Sequence, residues 1–265
     1  MTTNRQSTTY IRALVPPILI LVLALIALEV AVRRNVIAPY LLPRPSAIIQ
    51  DTFKNISSLS NDALITAMES LVGFILATIG AFVLAFAFAF SRAFDRSVFP
   101  LVVAFKCMPL VALAPILALW SGGGSLVAKA LLAGFICFFP VIVNLRTGLN
   151  TIDQEAIDLF RSLSASRWVV LWKLRLPSAI PYFLSGLKAA STLAVIGAVV
   201  GEFACSDRGL GYQITEASYQ GNTVRMFTAV TLLMCLGLSF FGLLSIIEFG
   251  MRRVFRVEFG NNNTI

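Results

Sequence analysis

Six stretches of this chain stay apolar for roughly the 20 residues that an α-helix needs to cross the hydrocarbon core of a bilayer. They run approximately from Ala13 to Val32, Leu64 to Phe90, Val98 to Trp120, Leu126 to Leu145, Ala179 to Phe203 and Met226 to Gly250. No water is available inside a bilayer to satisfy the backbone, so such runs fold as helices or as strands of a closed barrel. The run AFVLAFAFAF, residues 81–90, alternates as a strand does, but both residue types in it are apolar and it lies within a span-length segment. It therefore reads as helix. Only 13% of the 265 residues are charged, about half the share of a soluble domain, and no polar stretch is long enough to build one. The expected fold class is all-α: a polytopic membrane protein of about six transmembrane helices. The first run lacks a clear A-x-A cleavage site and is followed by Arg33 and Arg34, so it reads as an uncleaved span.

Lys and Arg distribute unevenly between the loops. With the N-terminus inside, twelve fall on the cytoplasmic side and five outside, so the positive-inside rule places both termini in the cytoplasm. The expected organisation is a cytoplasmic tail over 1–12, a transmembrane domain over 13–250 with a cytoplasmic loop at 151–177, and a second cytoplasmic tail over 251–265. The net charge of +8 is explained by loop anchoring at the lipid bilayer, without a nucleic-acid partner. The chain contains no histidine, which removes imidazole acid–base chemistry and nearly all zinc enzymes. Cys107, Cys137, Cys205 and Cys235 form no C-x-x-C pair and read as small apolar side chains. The run SGGGS, Ser121 to Ser125, lacks the Lys and the spacing of a phosphate-binding loop and reads as a turn. No cofactor and no nucleotide site are expected in this chain.

Within the spans, Ala77, Ala81, Ala85 and Ala89 form one stripe of small residues, and Gly186, Ala190, Ala194, Gly197 and Gly201 form another. Such stripes let helix backbones approach closely in lipid. Pro109 and Pro115 are expected to bend the third span. Lys106, Lys188 and Glu202 lie at or within membrane depth, where each charge costs about 2.5–3.5 kcal/mol at a helix centre and requires a partner, a wet path or a route to the surface. These three are the pathway candidates. For Lys188 the alternative is snorkelling, and for Glu202 it is a boundary position that meets water.

The segment DLFRSLSASRWVVLWKLRLPSAI, Asp158 to Ile180, is unlike the rest of the chain. Ile152, Ala156, Leu159, Phe160 and Leu163 fall on one helical face. Ser164 to Ser166 supply a break and an N-cap for a second helix, which carries Trp168, Val169, Leu171, Trp172, Leu174 and Leu176. Pro177 is expected to end that helix. Helix, turn, helix, stop and then a span is more order than a linker needs. It suits either a docking element or an amphipathic helix lying passively on lipid headgroups.

The segment resembles the cytoplasmic E-A-A loop of ABC importer permeases, whose pattern is E-A-A, three residues, Gly, nine residues, Ile, one residue, Leu-Pro. The E-A-A position falls on Asp158, Leu159 and Phe160, the Gly on Ser164, the Ile on Leu174, and the Leu-Pro on Leu176 and Pro177. The spacing and the acid are kept; the two alanines and the glycine are not. RSLSASRW, LRLPSAIPYFLSGLKAA, LAVIGAVVGEF, LPRPSAI and DRGLGYQI are similar to permeases of the nitrate, sulfonate and taurine type. The resemblance implies a non-enzymatic transport subunit that works by alternating access. It implies a second permease copy as homodimer partner, two separate ATPase subunits on the cytoplasmic loops, and an external solute-binding protein. It places ATPase coupling on Asp158, Ser164, Ala165, Ser166, Arg167, Trp168, Leu176 and Pro177. It also leans towards small heterocyclic solutes, with sulfonates, taurine and nitrate left open. The alternative is a secondary transporter or channel driven by an ion gradient, for which a paired internal repeat is not visible.

Overall fold

The structure, a computed structural model, describes residues 3–122 and 125–255. Gly123 and Gly124 of the SGGGS run, and residues 256–265 of the expected C-terminal tail, lie outside the described residues. No strand occurs among the described residues. In chain order the helices are α1 (Thr3–Arg33), α2 (Pro45–Lys54), α3 (Ile56–Phe90), α4 (Arg92–Lys106), α5 (Leu110–Trp120), α6 (Leu126–Asn150), α7 (Gln154–Ser162), α8 (Arg167–Val170), α9 (Leu176–Cys205), α10 (Leu210–Tyr219) and α11 (Thr223–Phe255). A π-helical turn, Leu171–Arg175, joins α8 to α9. Five helices are long and apolar enough to cross a membrane, or six if α4 and α5 together count as one span.

That pair departs from the expected single bent helix. α4 and α5 meet at 98° across the break at Cys107–Pro109. Pro109 has no N–H to continue the ladder of α4 and instead stands before the first turn of α5 with an extended backbone. Pro115, by contrast, lies inside α5. The expected stop at Pro177 is also corrected. α8, the π turn and α9 run on without a break. Pro177 occupies the first turn of α9, and the wider π turn before it makes room where a proline ring would otherwise meet the carbonyl four residues back.

Two compact units divide the chain. The first comprises Met1–Ser60 and Gln213–Thr231. In it, α2 begins with Pro45, and its Ser46 donates from both N–H (3.1 Å) and Oγ (2.8 Å) to the Glu29 carboxylate of α1. Arg225 at the start of α11 lies 3.5 Å from Asp51 of α2. The second unit comprises Asn61–Tyr212 and Leu232–Ile265, and its centre is the α6–α9 pair. Both small-residue stripes feed one buried cluster: Ala77, Ala81 and Ala85 of α3, and Ala190 and Ala194 of α9, pack with Cys137, Val141 and Leu145 of α6. Between α6 and α9 the approach is closest at Gly197, where a Cβ would lie 2.5 Å from the Cα of Ala133. Lipid provides no hydrophobic drive for helix association, so this backbone proximity is what stabilises the pair.

Candidate functional site: the helix-turn-helix loop and the intramembrane charges

The loop is built by local chemistry. α7 ends at Ser162, and Ser164 turns the chain in the left-handed region at φ +52°. The turn is closed by the Ser164 N–H donating to the Arg161 carbonyl (2.9 Å) and the Ala165 N–H donating to that of Phe160 (3.0 Å). These bonds satisfy carbonyls that the end of a helix leaves without partners. Ser166 is extended and its hydroxyl accepts from the Val169 N–H at 3.4 Å, capping α8 as the sequence suggests. Asp158 is exposed; it pairs with Arg161 at 3.0 Å and accepts from Gln154 at 3.2 Å. Ala165 is half-buried in the turn, and Arg167 and Trp168 follow it, both exposed. Leu176 and Pro177 open α9.

The apolar side chains of the loop are divided between two roles. Leu171 is buried at 3% exposure and anchors the segment to the unit. Leu159, Leu163, Trp168 and Trp172 are exposed. Trp168 is nonetheless attached on one side, with its ring 4.9 Å from that of Phe90 and 6.0 Å from that of Phe86, both at the end of α3. Trp172 lies 6.4 Å from Phe86. The loop is therefore tied to the end of a membrane span while its remaining apolar surface is uncovered.

The three charged pathway candidates have separate surroundings. Glu202 on α9 is buried at 1% exposure and accepts from Thr66 Oγ1 (2.6 Å) and from the Gly211 N–H (2.5 Å). The N–H of Leu210 donates to Thr66, and that of Gly209 to Asp62. Two carboxylates and a hydroxyl thus receive the first N–H groups of α10, where anionic charge is favoured. Lys188 on α9 pairs with Glu248 of α11 at 2.8 Å, over the ring of Phe241. Lys106, the last residue of α4, lies 4.3 Å above the ring of Phe139 and lines a cavity of about 860 Å³. Sequence reasoning passed over Glu69 and Lys129, which form a buried pair at 2.5 Å; Lys129 also donates to Ser206 at 2.9 Å. The cost of intramembrane charge that singled out Lys106 applies equally to Glu69, Lys129 and Glu248, each of which falls inside an expected span.

Residues 70–253 match the family described as binding-protein-dependent transport system inner membrane component. The chain is 33% identical over 233 residues to the formylaminopyrimidine transport permease protein of Halalkalibacterium halodurans, across 88% of this chain and 92% of that protein. It is 32% identical over 230 residues to the riboflavin transport system permease protein of Chloroflexus aurantiacus, across 86% and 85%. Its fold is similar to a chain of the MetNI methionine ABC transporter in an inward-facing conformation, with TM-score 0.60 and 18% identity, covering 76% of this chain and 96% of that one. The resemblance to permeases of the nitrate, sulfonate and taurine type holds. The chain belongs to the binding-protein-dependent transport system inner membrane component family and is a membrane-spanning permease subunit of an ABC importer.

Proposed function

We propose that two copies of this chain form the membrane pathway of an importer, that two ATPase subunits dock on the loop of residues 151–177, and that an external binding protein delivers the solute. Both termini are then cytoplasmic, on the organisation 1–12, 13–250 and 251–265. The carrying observation is the loop itself. A turn with small residues at its tip, Ser164 to Ser166, projects exposed Leu159, Leu163 and Trp168, while Leu171 and the Phe86–Phe90 contacts hold its base. A lipid-surface helix needs an apolar stripe but has no need of a closed, capped turn. Docking into a protein cleft needs both. ATP-driven closure of the ATPases would displace α7 and α8, and the uninterrupted run from α8 into α9 would carry that displacement into a span. Of the pathway candidates, Lys106 alone lines the cavity; Lys188 and Glu202 are assigned to holding α9 against α11 and α10. The names of the relatives support a small heterocyclic solute.

The direct experiment is co-purification of the ATPase with Ala165→Glu, alongside solute uptake in proteoliposomes that contain the ATPase and the binding protein. The expected result is normal membrane insertion with loss of both ATPase association and uptake. Retention of both returns the loop to a passive surface element.

A further inference from the structure

Most charges at membrane depth in this protein have a partner of opposite sign. Lys129 has Glu69 and Lys188 has Glu248. Among the described residues no carboxylate lies within ion-pair distance of Lys106. Its ammonium meets only the face of Phe139. Lys106 stands roughly 20 Å along α4 from Arg92, at a helical rise of about 1.5 Å per residue, and its side chain is exposed. The 98° break follows it immediately. Irregular backbone at membrane depth is tolerated only where protein covers it or where it lines a wet cavity. The cavity, about 860 Å³, is lined by Lys106, Asn144 and the phenylalanines Phe105, Phe135, Phe138 and Phe139, the rest of its wall being Met108, Gly134 and aliphatic residues. A cation without a carboxylate partner, a broken span and an apolar cavity with four phenylalanines therefore coincide.

We infer that this cavity is the solute's station within the membrane, and that it takes a flat, π-conjugated solute that presents an anionic or carbonyl oxygen to Lys106. This rests on the transport reading above and narrows its substrate class. The four phenylalanines of the wall supply aromatic surface that a conjugated ring can stack on or meet edge to face, and the volume suits a ligand of that size. A small hydrated oxyanion is the wrong occupant. Stripping its water needs several donors around it, whereas this wall supplies one ammonium and one carboxamide among mostly apolar side chains.

The test uses the permease assembled with its ATPase and binding protein in proteoliposomes. Met108, which also lines the cavity, is changed to Cys after Cys107, Cys137, Cys205 and Cys235 have been replaced by alanine. A membrane-impermeant thiosulfonate reagent should label Met108→Cys. Riboflavin or cytosine, each a conjugated ring with a carbonyl oxygen, should slow that labelling, and taurine and nitrate should not. Lys106→Met should raise the half-saturating concentration for uptake of the protecting compound by about ten-fold, the loss expected for one charge-assisted hydrogen bond, while the ATPase still co-purifies. No labelling, or protection by taurine or nitrate, or protection by none of the four, overturns the inference. If ATPase association persists in those cases, the permease reading stands and only the cavity's solute class falls. If the ATPase fails to associate with the unmodified chain, the permease reading itself falls.

Discussion

Ser164 occupies a backbone conformation that costs an L-residue about 1–2 kcal/mol and costs glycine nothing, at φ +52°. The permease loop pattern has glycine at that position, and the geometry supplies the reason. Ser164→Gly should therefore leave uptake intact and raise stability by about 0.5–1 kcal/mol, after the extra chain entropy of glycine is subtracted; thermal melting of the detergent-solubilised protein measures it, and a lower melting temperature would contradict it. Gly209 shows the converse case. It sits at φ +103°, and a Cβ there would run into the Glu202 carboxylate. Gly209→Ala is both strained and displaces a buried acceptor of N–H groups, so a loss of about 2–4 kcal/mol is expected. A melting temperature equal to that of the parent would mean that the carboxylate does not hold α10.

At the scale of elements, α6 and α9 are joined by contact between small residues rather than by interlocking large ones. Gly197→Leu places a branched side chain where even a Cβ lies 2.5 Å from Ala133 Cα. The pair must then separate, and the expected outcome is poor accumulation in the membrane or rapid proteolysis of the inserted chain. Gly237, whose added Cβ would meet nothing within 4 Å, provides the control: Gly237→Leu should accumulate normally. α8 is held differently. Its Trp168 rests on Phe90 and Phe86, so Trp168→Phe should preserve coupling, whereas Trp168→Ala should lower uptake per ATP hydrolysed. Simultaneous measurement of uptake and hydrolysis distinguishes this from simple loss of the ATPase, which would lower both together.

For the whole molecule, buried ion pairs bind distant parts of the chain. Glu69 and Lys129 are 1% and 5% exposed at their side chains. Removing one partner leaves a buried charge alone, at a cost of about 3–5 kcal/mol, whereas removing both together costs much less. Glu69→Met and Lys129→Met should each destabilise the protein strongly, and the double variant should recover most of the loss; melting of the three variants is the measurement. Additive losses would show that the two groups act independently. Assembly is checked at the same scale, since native mass measurement of the solubilised complex should find two permease chains with two ATPases, and a transport-competent complex with one permease chain would refute the homodimer.

Hydropathy along the chain was sufficient to determine that it crosses the membrane as helices, because burying an unpaired backbone in lipid leaves few alternatives. Spacing alone located the helix-turn-helix, since its turn, cap and apolar face are all made by residues within a few positions of one another. The small-residue stripes were visible for the same reason. What required the tertiary structure was the rotation of each span about its axis and its offset against the next. Those decide that Glu69 reaches Lys129, that Lys188 reaches Glu248, and that Glu202 meets the N–H of Gly211 rather than water. The same long-range placement decides that Lys106 lies over Phe139 in the wall of an apolar cavity. A hydropathy pattern records only that a charge lies at membrane depth. Which group neutralises it depends on helices that are distant in sequence, whereas Pro177 fails to part α8 from α9 because the π turn before it makes room for its ring.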